Sequence, residues 1–398
     1  MYLKNEMPAY RTPLDPRDAR MLSAEGAADV MGMLAMRDHN EATPMHALPG
    51  LAAELGLGAL HVKDEGQRLG LGSFKALGGA YALLRLVQDH AARQWGREVT
   101  VQDLMSPEIR SLAAGLTFAC ATDGNHGRSV AQGARLIGAN AVVFVHAGVS
   151  DARVDAIARF GARIIRVAGN YDDSVAEAAH VAQRQGWTVL SDTSWPGYER
   201  IPALVMQGYT AIVQEALAQL DQPPSHVFLQ AGVGGFAAAI AGHLAVILGD
   251  RRPHVTIVDP ARAACLFQSA RAGRVVKVAE GKATVMAMLE CYEPSLVAFR
   301  VLERVADGFM TVDEADAVDA MRRLAQPVDG DPPLVCGESG GAGLAGLLVA
   351  SGRAGLAPAI GLGPAARVLV INTEGATDPA RYAQLVGRRP QDVLEGAA

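Results

Sequence analysis

The chain has 398 residues, half of them hydrophobic, and its 42 acidic against 36 basic residues leave a net charge of −6. That length and apolar content support two cores and argue against disorder. No basic block exists to bind nucleic acid or an anionic membrane, so a small molecule is the expected partner.

In chain order, the opening MYLKNEMPAYRTPLDP has no apolar run of signal-peptide length, which predicts a cytoplasmic protein. ALHVKD (59–64) is the first strand, followed by LGLGSFKALGGAYALLRL (69–86), a helical pattern that opens on Lys75 between two glycine clusters. Residues 91 to 116 read as an extended connection or surface insertion. Then LTFACA (116–121), AVVFVHA (141–147), ARIIRVA (162–168) and WTVLS (187–191) read as strands, with helical patterns at 150–160 and 171–186. An amphipathic stretch (203–220) leads to strand HVFLQ (226–230), the turn AGVGG, a helix, strand HVTIVD (254–259) and, near the end, RVLVIN (367–372). Strand-length runs alternating with helices predict an α/β fold with parallel sheets. The expected organisation is a large domain of residues 1–95 and 190–398, with a smaller α/β domain, 96–189, inserted. Residues 380 to 398 read as a short helix and tail. GVGGFAAAIAGHLAVILG (232–249) approaches membrane-spanning length, but its loop-like opening and His243 favour a buried helix. Cys120, Cys265, Cys291 and Cys336 lie far apart without CxxC spacing, so four buried thiols are expected rather than a metal site or a disulfide framework.

Chemistry enters with Lys75. The chain has only five lysines, and this one is flanked by Phe74, Ala76 and Leu77, which read as buried or half-buried. An ammonium in such a setting must be paired, neutralised or covalently consumed. Lys63 is the nearest rival, but Asp64 and Glu65 beside it point to ion pairing at a strand end. The AGVGG turn places Gly232, Gly234 and Gly235 between strand and helix, where backbone amides converge on anions. It has no Lys-Ser/Thr pair for a Walker A loop, and position 237 is alanine, so a dinucleotide fingerprint fits poorly. Alone, the turn suits a phosphate or a plain tight connection. TDGNHGR (122–128) crowds Asp123, Asn125, His126 and Arg128 behind a strand, where open α/β sheets bind ligands. Asn and Gly there also suit a tight loop.

GSFKALGGAYA, TDGNHGRSVA, AGVGG and CGESGGAGLAGL (336–347) occur in the order found in fold type II, tryptophan-synthase-β-like, pyridoxal-phosphate enzymes, which the chain resembles from about residue 40 onward. Asp123, SDTSWPGYERIPALVMQGY (191–209), VMAMLECYEPS (285–295) and INTEGATD (371–378) make it similar to the diaminopropionate ammonia-lyase family within that group. The resemblance implies a large open-sheet domain plus a smaller α/β domain. It implies pyridoxal 5'-phosphate carried covalently by Lys75, with the phosphate on Gly232, Val233, Gly234 and Gly235. Asn125 would bond the ring's phenolic oxygen, Thr373 would give the ring nitrogen a neutral partner, and Ser339, with Glu338, would line the cofactor's edge.

It also implies an α,β-elimination in amino-acid catabolism that converts 2,3-diaminopropionate to pyruvate and two ammonia. Lys75 would remove the Cα proton, for which its amine, with an ordinary pKa of about 10.4, must be shifted well down. Asp123 stands where many relatives carry serine or alanine; it and Asp192 would pair with the β-ammonium, although either residue also suits a cap or loop brace. A homodimer and no metal are expected. Two alternatives stay open: a serine or threonine dehydratase on the same fold, and a non-catalytic nucleotide-binding or regulatory protein that uses AGVGG.

Overall fold

The computed structural model describes residues 1–122, 124–328 and 330–395. In chain order, its strands are β1 (Tyr2–Lys4), β2 (Met45–Ala47), β3 (Ala59–Asp64), β4 (Thr117–Ala121), β5 (Asn140–His146), β6 (Arg163–Val167), β7 (Thr188–Val189), β8 (His226–Gln230), β9 (His254–Pro260), β10 (Gly308–Val312) and β11 (Arg367–Asn372). They form a seven-stranded sheet, β1-β10-β9-β8-β11-β3-β2, and a four-stranded sheet, β6-β5-β4-β7. The small sheet is parallel throughout, and so are the five central strands of the large one. Parallel strands covered by helices on both faces read as unbroken apolar runs, which is why β8, β9 and β11 stand out in the sequence. Only β1 and β2, at the two edges, run antiparallel.

Several expectations need correction. Residues 91 to 116 are largely helical: 91–95 complete the helix Lys75–Trp95, and Pro107–Ala113 is a helix capped by the Ser106 hydroxyl. Ile109 and Ala113 on it are buried in the core, so the polar residues that suggested a surface connection are only its outer face. The amphipathic stretch divides at Tyr209 into Arg200–Gly208 and Thr210–Gln219. The C-terminal end carries two short helices, Pro379–Val386 and Pro390–Glu395. Cys291 is half-buried, unlike the other three cysteines. Residues 232–249 contain the 14-residue helix Gly235–Leu248, packed into the core, and among the described residues no helix is long and apolar enough to cross a membrane.

Close packing explains the second glycine cluster beside Lys75. A Cβ on Gly78 would stand 2.7 Å from the Val205 carbonyl oxygen, and one on Gly79 would stand 3.0 Å from Ser129 Oγ. Bare backbone at these two positions lets the helix Lys75–Trp95 seat between Arg200–Gly208 and Asn125–Ile137. Ser129 Oγ locks the second contact, accepting from the Ala80 amide at 3.0 Å and lying 3.2 Å from the Ala76 carbonyl. Packing therefore fixes the first turn of the lysine helix relative to both of its neighbours.

Candidate active site

Five of the features singled out in the sequence, Lys75, Asn125, Asp192, the glycine turn and Thr373, gather at the carboxyl ends of strands from both sheets, where open α/β sheets place ligands. β3 leads to Lys75, β4 to Asn125, β7 to Asp192, β8 to the glycine turn, and β11 to Thr373. Backbone and ring contacts tie these ends together. The Phe74 amide donates to the Thr373 carbonyl at 3.0 Å, and the Phe74 ring packs on Tyr209 and Phe236 with centroids 4.8 and 4.7 Å away. Phe236 belongs to the helix that begins at the glycine turn, and a Cβ on Gly235 would lie 3.6 Å from the Asp192 carbonyl oxygen. The lysine, the turn and the acid loop are thus neighbours.

Lys75 is the first residue of its helix, and its Nζ lies 2.9 Å from Asp192 Oδ2. About a fifth of each side chain is exposed, 23% and 21%, so the amine is half-buried rather than enclosed. Burial would raise the Asp192 carboxyl, but the Lys75 ammonium and, behind it, His126 override burial and hold it well below the usual carboxylate range. His126 Nε2 bonds the Leu190 carbonyl at 2.9 Å, tying the start of the asparagine helix to the strand end that carries Asp192. Asp123 lies outside the described residues.

Lys63 is not the strand-end pair that the sequence suggested. It is fully buried, and its Nζ bonds Glu215 Oε2 at 2.8 Å, Gln219 Oε1 at 2.8 Å and the Thr43 carbonyl at 2.6 Å. Its acid comes from the helix Thr210–Gln219, not from Asp64 or Glu65. Arg68 completes the cluster by bonding both Glu65 and Glu215.

Around the glycine turn, the amides of residues 232 to 237 have no acceptor among the described residues. Gly234, at φ +96°, closes the turn in a conformation that L side chains rarely adopt. These amides, at the mouth of a 14-residue helix, form an anion cradle. Thr373 is buried, and its Oγ1 accepts from Gln230 Nε2 at 2.9 Å. The same Nε2 faces two backbone carbonyls, Gly340 at 2.7 Å and Ile371 at 2.9 Å, which fix the amide's orientation. Because Nε2 can only donate, the Thr373 hydroxyl keeps its own proton for a neutral acceptor. Ser339 Oγ accepts from the Met288 amide at 3.1 Å, and Ser73 Oγ, two residues before Lys75, is buried without a partner among the described residues.

Asn125 Nδ2 donates to Glu374 Oε2 at 3.1 Å, and Asn125 Oδ1 accepts from the Arg128 guanidinium. Burial, then Glu338, push the Glu374 carboxyl up to about 8; burial also raises Glu338. A cavity of about 190 Å³ opens beside Asn125, bounded by Gly124, Arg128, Arg153, Met288 and Thr377. Sequence reasoning missed Glu374 and Gln230. Glu374 was signalled only by its place after Thr373 in INTEG, and Gln230 only by ending the strand before the turn.

These features suit pyridoxal phosphate: an amine for the aldehyde, unpaired amides for the phosphate, a neutral hydroxyl for the ring nitrogen and a carboxamide for the phenolic oxygen. A family model described as pyridoxal-phosphate dependent enzyme matches residues 36–374. The chain is 39% identical over 352 residues to diaminopropionate ammonia-lyase of Escherichia coli K12, covering 86% of this chain and 87% of the relative. The Salmonella typhimurium LT2 enzyme of the same name is 39% identical over 354 residues, with the same shares covered. The crystal structure of the Escherichia coli ammonia-lyase in complex with an aminoacrylate-PLP azomethine reaction intermediate aligns with a TM-score of 0.86 and 35% identity, over 97% of this chain and 96% of that one. The nucleotide-binding alternative for the AGVGG turn is thereby set aside. By sequence, by fold and by the chemistry its strand ends assemble, the chain belongs to the pyridoxal-phosphate dependent enzymes of fold type II and, among them, to the diaminopropionate ammonia-lyase family.

Proposed function

We propose that the chain eliminates ammonia from 2,3-diaminopropionate with pyridoxal phosphate, the observation that carries this reading being the Lys75–Asp192 pair at 2.9 Å. Bound at Lys75, the cofactor supplies an electron sink that acidifies the substrate's Cα–H. Lys75 Nζ takes that proton. When the amine is engaged, Asp192 loses its cation and remains a partly buried carboxylate, which the β-ammonium of diaminopropionate replaces charge for charge. Serine and threonine bring no such cation. The β C–N bond then breaks with its electron pair on nitrogen. Asp123, on the strength of its place in TDGNHG, is the proposed acid–base group that keeps the β-nitrogen protonated, so that it departs as neutral ammonia. The released 2-aminoacrylate tautomerises and hydrolyses to pyruvate and a second ammonia.

The amides of Gly232, Val233, Gly234 and Gly235 hold the phosphate in this reading, and Asn125 binds the phenolic oxygen. The Thr373 hydroxyl gives the ring nitrogen a donor without a charge, and Ser339 borders the ring. The homodimer implied by the resemblance and a cytoplasmic address are part of the proposal; sedimentation velocity and cell fractionation test them.

The deciding experiment supplies the purified, cofactor-loaded chain with diaminopropionate, serine and threonine in turn and measures pyruvate or 2-ketobutyrate. A kcat/KM for diaminopropionate at least about 100-fold above the hydroxy amino acids is expected, the scale of one well-placed charge pair. A preference for serine or threonine would establish the dehydratase instead. Borohydride reduction and peptide mapping should place the label on Lys75.

A further inference from the structure

Glu374 has no part in the reaction just described, yet it is set deep in the site. It is 3% exposed and directly follows Thr373. Its main chain is fixed from two sides, by a bridge to Ser73 and by the Gly337 amide, which donates to its carbonyl at 2.9 Å. Its Oε2 accepts from Asn125 Nδ2 at 3.1 Å. At the other end of the same carboxamide, Arg128 donates to Asn125 Oδ1.

A primary amide offers one acceptor oxygen and two N–H groups. Arg128 occupies the oxygen and Glu374 one N–H, so one N–H is left. The arrangement cannot flip: a guanidinium only donates, and a reversed amide would turn its NH₂ against Arg128. We propose that Glu374 is a positioning residue for the cofactor, holding Asn125 with Arg128 so that the remaining N–H of the carboxamide is presented to the ring's phenolic oxygen. The inference rests on the assignment of Asn125 to that oxygen. A carboxyl that is largely protonated near neutral pH suits the task, because it accepts through one oxygen without setting a buried negative charge beside an anionic phenolate.

The test uses the holoenzyme and two readouts besides turnover: the position of the visible band of the lysine-bound cofactor, and the cofactor's equilibrium dissociation constant. Glu374→Met fills similar space without an acceptor, and Glu374→Gln keeps one. The methionine variant is expected to shift the band and weaken cofactor binding about tenfold, the effect of one buried hydrogen bond. The glutamine variant should restore both to within about twofold. Combined with Asn125→Ala, Glu374→Met should add nothing, because the two residues act through one contact. Additive losses, or a methionine variant with an unmoved band, overturn the proposal while leaving Asn125 on the cofactor. If Asn125→Ala alone moves neither readout, the assignment of Asn125 fails and the proposal with it. Should Glu374→Met not accumulate, Arg128→Met releases the other end of the amide and carries the same expectation.

Discussion

Two lysines near each other in the chain meet opposite fates. Lys63 is wholly enclosed, with three short bonds that use all three of its donors, and its acid, Glu215, is shared with a buried arginine. Lys75 is about a fifth exposed beside Asp192, which is exposed to the same degree. Burial pulls the Lys63 ammonium below the usual lysine range against the attraction of Glu215, and nothing can approach it. The Lys75 pair can be approached, and a ligand that takes the amine frees the carboxylate. Enclosure with complete satisfaction marks a structural ion cluster; accessibility with a replaceable partner marks a reactive one.

Exchanging the consequences of losing each lysine tests that contrast most directly. Lys75→Ala should lower turnover by more than about 10⁴-fold, the upper range for one acid–base group, because proton abstraction and cofactor attachment are lost together. Its urea unfolding midpoint without cofactor should fall less than that of Lys63→Met, because water reaches the partly exposed Asp192 carboxylate left behind. Lys63→Met should do the reverse, costing about 3–5 kcal/mol of stability by leaving buried acid uncompensated, while the protein that remains folded keeps its kcat. If Lys63→Met instead left stability intact and removed activity, the roles assigned to the two lysines would have to be exchanged.

The same contrast shows what a sequence can disclose. Lys75, Asn125, the glycine turn and Thr373 were legible because each sits in a local motif at a strand end, and the motifs appear in one order. The pairing of Lys63 with Glu215 was not legible, because the partner comes from a helix 152 residues away and the neighbouring Asp64 and Glu65 offered a false local solution. Asp192 was singled out, but not its contact with Lys75 across 117 residues. In the fold, parallel central strands announced themselves as apolar runs. The edge strands β1 and β2 are three residues long and half-exposed, and β10 mixes glycine, methionine and threonine, so none of the three carried a clear strand pattern. Residues 91 to 116 misled because a short helix with one buried face looks polar when read residue by residue.

A smaller effect is expected at Asp192, where Asp192→Asn keeps the shape and removes the charge. Its kcat/KM for diaminopropionate should fall about 10²-fold, while any residual serine turnover falls much less, since serine has no β-ammonium to pair. Equal losses on both substrates would make Asp192 a partner of Lys75 alone. Smaller again is Gly234→Ala. At φ +96°, with a Cβ 3.0 Å from Leu266 Cδ1, alanine should cost about 1–3 kcal/mol and weaken cofactor binding, whereas the lysine pair stays as it is.

The gentlest probe is pH, because two carboxyls at the site are displaced in opposite directions. The Asp192 carboxyl is held low by Lys75, so in cofactor-free protein it contributes stability above the ordinary value of 3.8 that is lost as pH falls through its lowered pKa. Glu374 is pushed up from 4.5 to about 8, so its contribution is complete below about pH 4.5 and is lost as pH rises through about 8. Urea unfolding of cofactor-free protein between pH 5 and 9 (about the span of the Glu374 displacement) should therefore show a decline on the alkaline side that Glu374→Gln removes, since glutamine has no proton to lose. Asp192→Asn should leave that decline and soften only the acid limb, seen when the titration is carried below pH 3.8. A Glu374→Gln variant whose stability difference from the parent is constant across the range would show that Glu374 is already ionised at pH 5, and would place a fixed negative charge beside Asn125.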